Sequence, residues 1–383
     1  MVKKICIAAL AIMLFGIVLS CGGVGYIYLA YFKNQPLPPL SLFEEEEIFR
    51  VFPFSARVFG KKIKNNELYD EYIGEYYLNE RRFYIAKDDL PHLKLLTGAL
   101  LASEDRYFFT HPGINPAAIA GALYQHYVYK RPLRGASTLT QQLTKNVLRR
   151  GQHINIRERS VGQKIQEMYL AYKLEQYLTL KYGSKRAAKE HILWLYLNII
   201  PMGRVNGGFA AAAYDYFGIQ PEKLSGLTTS QALVLAALPK GPEKYLGALS
   251  PPDQAKPTSA HKAQLLLLDR MRYIAEGMVH ARALTKVEVT TLLAKPFEYL
   301  APNSRIRECD EFLTEVQRAL ADHRDFLNGL HPISVFTACT VPWQHQARQA
   351  LKQQTQLVDE RNGELLEPQG AAVFTEMEGA RRG

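Results

Sequence analysis

Two acidic residues at the end of an apolar helical stretch are the first side chains that could do chemistry. Glu104 and Asp105 follow leucines at helical spacing, and an aromatic pair and a His-Pro-Gly turn come directly after them. A carboxylate beside apolar and aromatic surface tends to have a raised pKa, which suits a general acid or base. The alternative is a helix that simply ends in water, and this segment alone favours that simpler interpretation.

A second segment, residues 135–146, combines small, hydroxyl and amide side chains at the start of a helix. Leu139, Leu143 and Val147 form an apolar stripe behind a cap-like Ser137, and this spacing predicts the helix. A merely solvated face is usually rich in Glu and Lys, whereas an uncharged polar face beside the free N–H groups of a helix start suits an anion or a sugar. That face presents Thr138, Gln141, Gln142 and Lys145.

Positive charge is concentrated next to these two segments. Between Lys130 and Lys164 the chain carries nine basic residues and one acidic residue, Glu158. Glu167 follows Lys164 by three positions, so the two lie on the same helix face. A positive field with an isolated carboxylate suits a phosphate or diphosphate group. The alternative is a surface that meets anionic lipid headgroups, and a membrane-borne diphosphate would satisfy both interpretations.

The composition is that of an ordinary globular protein with a basic bias. Of 383 residues, 47% are hydrophobic and 22% charged, which excludes a mostly disordered chain and a polytopic membrane protein. Lysine and arginine number 47 against 37 acidic residues, and the formal net charge of +10 favours an anionic partner. Four cysteines are too few for a disulfide scaffold, and whether Cys309 and Cys339 pair stays open.

The N-terminus predicts a membrane anchor. Lys3 and Lys4 precede an apolar run from Ile5 to about Phe32, which is long enough for a spanning helix of roughly 20 residues. The positive-inside rule places the two lysines in the cytoplasm, so we expect a single-pass protein whose remaining chain lies outside. A cleaved signal peptide and a lipoprotein cleavage site ending at Cys21 are the alternatives, but the apolar run continues well past both.

Four regions are predicted from changes in pattern along the chain. Residues 1–33 are the cytoplasmic tip and transmembrane helix, and residues 34–90 are a juxtamembrane region that starts Pro-rich and becomes strand-rich. Residues 91–300 have apolar residues at helical spacing, which predicts one mostly α domain. Residues 301–383 contain short strand-like runs and are predicted to be a β-containing linker.

Several helix and strand boundaries can also be predicted. The pairs Thr228-x-x-Gln231 and Thr285-x-x-Glu288 have the spacing of capping boxes. Gly207-Gly208 precedes an alanine-rich helix that Gly218 is expected to close. Beyond residue 300, Val335-Phe336-Thr337 is predicted to be a strand.

Five ordered motifs cover about residues 80–280 of the chain. The first two are Glu104-Asp105-x-x-Phe108-x-x-His111-x-Gly113 and Gly135-x-Ser137-Thr138-x-Thr140-Gln141-Gln142. The third comprises Arg159, Lys164 and Glu167, and the fourth is Ile192-Leu193-x-x-Tyr196-Leu197-Asn198 with Gly203. The fifth comprises Ala211 to Gly218 and Leu238-Pro239-Lys240-Gly241-Pro242. In order and spacing, this set resembles family 51 glycosyltransferases, the peptidoglycan transglycosylase domain of class A penicillin-binding proteins.

The resemblance implies a lysozyme-like glycosyltransferase domain in residues 91–300. Such an enzyme polymerises lipid II into glycan strands with inversion and releases undecaprenyl pyrophosphate. It would lie in the bacterial inner (cytoplasmic) membrane with its catalytic domain on the periplasmic side. Its partners would be lipid II, the growing glycan strand, the membrane and other cell-wall synthesis proteins, but not nucleic acid. A mobile, partly membrane-embedded part is expected at about residues 115–134.

The resemblance also implies a role for each motif residue. Glu104 would be the general base on the acceptor's 4-hydroxyl, while Lys145, Arg159 and Lys164 would neutralise the departing diphosphate. Glu167 would orient these cations or a divalent metal (Mg or Mn), although the sequence fixes no metal ligands. The remaining predicted substrate-binding residues are Asp105, His111, Gly135, Ser137, Thr138, Gln141, Gln142 and Asn198.

Three departures from the family pattern motivate an alternative. Gln163 stands where the family usually has Arg, and Trp194 and Gln231 stand where it usually has Glu. A catalytically weakened membrane scaffold that binds lipid II or cell-wall enzymes is therefore the alternative function. A hydrolase that cuts neutral glycan would gain nothing from the basic cluster.

The C-terminal residues resemble the start of a further domain. Residues 335–351 and 369–374 resemble the linker and first strand that lead into the family's transpeptidase domain. A complete transpeptidase domain is missing from these residues, so we expect no penicillin-sensitive crosslinking from the chain by itself.

Overall fold

The computed structural model describes residues 38–64, 67–130, 136–150, 161–249, 257–294 and 334–340, with a few isolated positions elsewhere. Within these residues, no helix combines the length and the apolar character that crossing a membrane requires. The predicted anchor lies almost entirely outside them, as do Gly135, Arg159 and the predicted strand at residues 369–374.

Most of the described chain is helical, as the sequence predicts. Its α-helices are α1 Glu45–Val51, α2 Lys94–Glu104, α3 Pro116–Tyr129, α4 Leu139–Arg150, α5 Val161–Tyr182, α6 Lys185–Ile199, α7 Phe209–Phe217, α8 Thr229–Ala237, α9 Pro257–His280 and α10 Lys286–Ala294. Short 3₁₀ turns connect several of them, including Lys87–His92 directly before α2.

The chain divides into two compact units, one helical and one containing a sheet. The helical unit is formed by residues 1–52 and 82–301, and the second unit by residues 53–81 and 302–383. In the second unit, β1 (Ala56–Lys64) pairs antiparallel with β2 (Glu67–Tyr76) and parallel with β3 (Ser334–Thr340), so the strand order is β2-β1-β3. The strand predicted at Val335-Phe336-Thr337 is confirmed, and it belongs to the same sheet as residues from before the helical region.

Two groups of packed helices form the helical unit. Helix α2 packs against α8 and α9, and its buried face carries Leu96, Ala99 and Leu100. Helices α4, α5 and α6 pack against one another, and α6 is buried along nearly all of its last three turns. The predicted stripe of Leu139, Leu143 and Val147 is the buried face of α4.

A buried ionic contact joins the three helices of the second group. Glu175 Oε1 accepts hydrogen bonds of 2.6 Å from both Thr140 Oγ1 on α4 and Lys189 Nζ on α6. Burial raises the pKa of Glu175 and lowers that of Lys189, and in each case the contact with the partner opposes the effect. Lys189 Nζ also lies 4.4 Å from the ring centroid of Phe108, so this contact holds the first-motif turn against α6.

The predicted helix ends are largely confirmed. Gly208 and Gly218 flank α7, and both have positive φ. Thr228 and Gln231 form a complete capping box at the start of α8, in which the Gln231 side chain accepts from the backbone of Thr228. Thr285 and Glu288 exchange the same type of bonds at α10.

His191 is a buried neutral histidine in α6. Its Nδ1 lies 3.2 Å from the Tyr182 hydroxyl, and its Nε2 lies 3.4 Å from the Phe43 carbonyl oxygen. The neutral ring satisfies both contacts when Nε2–H donates and Nδ1 accepts. Burial, helped by the charge of Lys87, lowers the pKa of His191 from 6.5 to about 4.

The fold is therefore expected to lose stability in mild acid through His191. Its folded-state pKa lies below its unfolded-state value, so the unfolded chain takes up the proton first as the pH falls from about 6.5 to 4. Each pH unit in this window costs about 1.4 kcal/mol from this one group. In urea unfolding at pH 7.0, 5.5 and 4.5, the free energy of unfolding should fall less steeply with pH for His191→Gln than for the unsubstituted protein. Equal slopes would contradict this assignment.

Candidate active site

Glu104 is the last residue of α2, and hydrogen-bond donors surround its carboxylate. Oε1 accepts from Arg270 Nη2 at 2.6 Å and from Ser103 Oγ at 3.0 Å, while Oε2 accepts from Gln142 Nε2 at 2.9 Å. Only 5% of the Glu104 side chain is exposed. Of the two interpretations that the sequence left open, the one that this segment favoured, a helix end exposed to water, is wrong, because the carboxylate is buried among hydrogen-bond donors.

The donors are distributed unequally over the two oxygens of Glu104. A carboxylate oxygen offers about two acceptor positions. Arg270 Nη2 and Ser103 Oγ lie 2.6 and 3.0 Å from Oε1, with the one Ser103 hydroxyl hydrogen shared with the Ala236 carbonyl at 2.7 Å, whereas Oε2 has one contact, from Gln142 Nε2. Oε2 is therefore the oxygen with a remaining position for a proton from a bound molecule.

Tyr196 holds the side-chain amide of Gln142 in one orientation. The Tyr196 hydroxyl donates to Gln142 Oε1 at 2.8 Å, so the amide nitrogen is left to donate to Glu104. Tyr196 is completely buried, and burial raises its pKa well above its ordinary value, which keeps the hydroxyl protonated. The side chain of Gln142 thus bonds Tyr196 and Glu104, and its predicted contact with substrate stays a prediction.

Asp105 and His111 brace the turn after α2. His111 Nε2 lies 2.9 Å from Asp105 Oδ2, and the backbone N–H of Leu139 donates to the same oxygen at 3.1 Å. Both side chains are buried. Asp105 thus satisfies one of the free N–H groups at the start of α4, and these contacts tie the first motif to the second. The two residues therefore have a bracing role within the protein, and their predicted contact with substrate stays a prediction.

Thr138, not Ser137, caps α4. Thr138 Oγ1 accepts from the backbone N–H of Gln141 at 3.2 Å and donates to the Gly113 carbonyl at 2.6 Å. Gly113 has φ +83°, and a Cβ there would lie 2.5 Å from the Ala171 carbonyl oxygen. Only glycine fits this position, which explains its place in the first motif. The Ser137 hydroxyl has a different hydrogen-bond partner.

That partner is Lys164, the centre of a polar cluster beside the start of α4. Lys164 Nζ donates to Ser137 Oγ and Glu167 Oε2, each at 3.1 Å, and to Gln141 Oε1 at 3.3 Å. The Lys164 side chain is 43% exposed, so its ammonium group is accessible to a ligand. Gln141 is 1% exposed, and within the described residues its Nε2 has no hydrogen-bond partner. Half-buried Lys145 lies one turn further along α4.

Two adjacent residues of α4 connect the acid to the lysine. Gln142 contacts Glu104, and its chain neighbour Gln141 contacts Lys164. The carboxylate and the cation therefore both contact the first turn of a single helix. A carboxylate can take a proton, and an ammonium group can stabilise an anion.

Asn198 makes structural contacts within the protein, and its predicted contact with substrate stays a prediction. It is fully buried, and its Oδ1 accepts from the backbone N–H of Ile85 at 2.9 Å. Its Nδ2 donates to the carbonyl oxygens of Ile85 and Trp194 at 3.1 and 3.0 Å. These bonds use both ends of the amide to hold the chain before α2 against α6.

Asn198→Ala is expected to destabilise the fold by about 2 kcal/mol, because it leaves the buried backbone N–H of Ile85 without its hydrogen-bond partner. Urea unfolding measures this loss directly. Unchanged stability together with weaker substrate binding would instead restore the predicted role of Asn198 as a ligand.

Two of the three departures from the family pattern also have structural explanations. Trp194 is fully buried, and its Nε1 donates to the Ile85 carbonyl at 2.8 Å. Gln231 completes the capping box of α8, a position that Glu and Gln fill equally well. Gln163 is half-buried on the first turn of α5. The three hydrogen bonds that hold the Glu104 carboxylate come from other residues.

Metal-ligating side chains are not clustered in the part of the chain that the structure describes. No group of three or more His, Cys, Asp or Glu residues is close enough there to hold an ion. Glu167 offers one carboxylate next to Lys164, which fits a metal held mainly by the phosphates of a ligand.

Comparison with known proteins gives a consistent result. The family model described as "Transglycosylase" matches residues 69–272. Penicillin-binding protein 1A of Rickettsia prowazekii (strain Madrid E) is 28% identical over 366 residues, which is 92% of this chain and 40% of that protein. Penicillin-binding protein 1A of Aquifex aeolicus (strain VF5) is 29% identical over 346 residues, which is 90% of this chain and 41% of that protein.

A solved structure is also similar in part. The crystal structure of penicillin-binding protein 1A from Haemophilus influenzae has a TM-score of 0.36 and 19% sequence identity, and the match covers 84% of this chain and 33% of that one. The chain spans about 40% of the length of the Rickettsia and Aquifex relatives.

Proposed function

Because the chain belongs to the transglycosylase family, we propose that it is a peptidoglycan glycosyltransferase that polymerises lipid II into glycan strands. One observation supports this most strongly: Glu104 and Lys164 contact adjacent residues at the start of α4. Glycosyl transfer from a diphosphate needs a base that takes the proton of the attacking hydroxyl and a cation that stabilises the departing diphosphate. Glu104 and Lys164 would supply these two groups.

The proposed reaction is a displacement with inversion. The 4-hydroxyl oxygen of the acceptor sugar attacks C1 of the donor, and its proton passes to Glu104 Oε2. The bond between C1 and the diphosphate oxygen breaks, and its electron pair leaves with undecaprenyl pyrophosphate. Glu104 Oε2 suits the proton because it has an acceptor position that no protein donor fills among the described residues.

The leaving group removes the need for a second carboxyl acid. A glycosidase must protonate an alcohol as it leaves, which takes a proton donor on the other side of the bond. A diphosphate leaves as an anion, so Lys164 can stabilise the developing charge without donating a full proton. Ser137 and the Gln141 amide nitrogen would add hydrogen bonds to the phosphate oxygens, and Lys145 and Arg159 further charge.

A divalent metal, if bound, would neutralise diphosphate charge, with Glu167 as its protein ligand. In its absence Glu167 holds Lys164 in place through their 3.1 Å contact. No step of the proposed reaction depends on the metal.

We also propose a lysozyme-like fold for the helical unit and a place at the periplasmic face of the bacterial inner membrane. Helix α3 supports contact with a lipid surface, because Tyr124, Tyr127 and Tyr129 are 40–57% exposed. Tyrosine is enriched where protein meets the membrane–water interface. The growing glycan strand and other cell-wall synthesis proteins are the further proposed partners.

The direct test is incubation of the purified protein with labelled lipid II and Mg²⁺, followed by separation of glycan polymer from monomer. Polymer together with released undecaprenyl pyrophosphate is the expected result. Binding of lipid II without polymer would support the membrane scaffold instead. Release of fragments from preformed glycan would support a hydrolase.

A further inference from the structure

We propose that Arg270, which lies outside all five motifs, is the positioning residue that fixes the base Glu104 for glycosyl transfer. The role in transfer rests on the proposed function, whereas the effect of Arg270 on Glu104 does not.

Arg270 reaches the end of α2 from the middle of α9. Its Nη2 lies 2.6 Å from Glu104 Oε1, 2.8 Å from Ser103 Oγ and 3.0 Å from the Ser103 carbonyl oxygen. A single guanidinium nitrogen therefore contacts both the carboxylate and the backbone that carries it. This arrangement sets the position of the carboxylate relative to its own helix.

Low exposure makes this ion pair stronger than an ordinary surface contact. The side chains of Arg270 and Glu104 are 14% and 5% exposed, so water screens their attraction poorly. The Arg270 guanidinium carbon also lies 5.0 Å from the ring centroid of Tyr273, which holds it from the other side. These contacts therefore hold the Arg270 guanidinium next to the Glu104 carboxylate.

The contact with Arg270 decides which oxygen of Glu104 is open. Arg270 Nη2 and Ser103 Oγ lie 2.6 and 3.0 Å from Oε1, so the protein encloses that oxygen, whereas Gln142 Nε2 is the one contact of Oε2 among the described residues. Without Arg270, the carboxylate loses one of the donors that hold its plane and can rotate about its terminal bond. The guanidinium therefore keeps the carboxylate in the orientation that leaves Oε2 open to the acceptor.

The other charged or titratable groups near Glu104 do not replace Arg270. Asp105 adds a negative charge from the same helix end. Tyr196 on α6 and Tyr245 after α8 also lie near Glu104, but burial raises the pKa of both tyrosines, so both stay neutral. Helix α8 packs on α2 and meets Ser103 only through the Ala236 carbonyl. In the part of the chain that the structure describes, Arg270 is the cation in contact with the carboxylate.

The test compares Arg270→Gln and Arg270→Lys with a matched control, Arg272→Gln. Arg272 lies on the same helix, is 57% exposed and pairs with Asp269. For Arg270→Gln we expect kcat for lipid II to fall about 10- to 100-fold at neutral pH with KM within about twofold. Arg272→Gln should match the unsubstituted enzyme in both constants.

Arg270→Lys separates charge from position and serves if Arg270→Gln does not fold. A lysine keeps the positive charge but lacks the guanidinium geometry. We therefore expect kcat to lie between the values for Arg270→Gln and the unsubstituted enzyme, again with KM within about twofold. A loss of rate that only follows the folded fraction would overturn the proposal.

A second readout does not require activity. Glutamate labelled with ¹³C at the carboxyl carbon gives a signal for Glu104, identified by its loss in Glu104→Gln. At neutral pH this signal should change its chemical shift in Arg270→Gln and keep it in Arg272→Gln, because only the first variant removes the 2.6 Å contact with the carboxylate. If no polymer forms but the signal shifts, the proposed function fails and the pairing of Arg270 with Glu104 stands. If polymer forms and neither the signal nor kcat changes in Arg270→Gln, the inference about Arg270 fails alone.

Discussion

Glu104→Gln is expected to reduce glycan polymerisation by about 10³-fold or more while lipid II binding stays within a few-fold of its original value. Glutamine keeps the size of the side chain, but it has no carboxylate to take the proton of the attacking hydroxyl. Its amide also needs acceptors where Arg270 and Gln142 now donate to Glu104. The measurement is the initial rate of polymer formation together with a binding titration of labelled lipid II.

Glu190→Gln is the matched control for this variant. Glu190 lies on α6, is 40% exposed and pairs with Arg186 four residues earlier. The same substitution there should leave the polymerisation rate unchanged, since exposed ion pairs contribute little. A Glu104→Gln protein that is folded and polymerises at more than about a tenth of the original rate would exclude Glu104 as the base.

Lys164→Met should give the second largest effect, a fall in kcat/KM of about 10²- to 10³-fold. Methionine keeps most of the apolar length of the lysine side chain but removes the charge that faces the departing diphosphate. It also leaves Glu167 without its cation, so the local charge becomes negative where the leaving group gains charge. Single-turnover kinetics with labelled lipid II measure the chemical step and separate it from product release.

Lys173→Met on the same helix is the control for Lys164→Met. Lys173 lies more than two turns away along α5, with its Nζ over the ring of Tyr169. Its replacement should leave the chemical step unchanged. Comparable losses in the two variants would mean that general positive charge, not the cluster at the start of α4, is responsible.

Local patterns were sufficient to predict the helices that carry the site. The apolar stripe of Leu139, Leu143 and Val147 predicted α4, and the structure buries all three. The capping box at Thr228 and the glycine after α7 were predicted from spacing alone, because both depend on contacts within a few residues. Composition also indicated a mostly helical region that ends near residue 300.

The partners of each polar side chain could not be predicted in the same way. Ser137 was expected to cap α4, but Thr138 takes that role, since its hydroxyl can also reach the Gly113 carbonyl. The hydrogen bonds of Asn198 to the backbone of Ile85, which is 113 residues away in sequence, were not predicted. Which of two adjacent polar groups faces the core depends on packing between distant segments.

Arg270 is the clearest example of a site residue that sequence reasoning missed. It is separated from Glu104 by 166 residues and stands in an ordinary amphipathic helix with other charged residues nearby. No local pattern distinguishes it from Arg272, which is exposed and pairs within its own helix. Only the packing of α9 against α2 brings its guanidinium to the carboxylate.

The most direct test of the proposed mechanism is a crystal structure of the protein with a bound lipid diphosphate that carries one sugar. We expect the diphosphate to lie against Lys164 Nζ, Ser137 and the Gln141 amide, and the sugar to lie between this cluster and Glu104 Oε2. A diphosphate bound elsewhere, or a Glu104 carboxylate that faces away from the sugar, would contradict the mechanism.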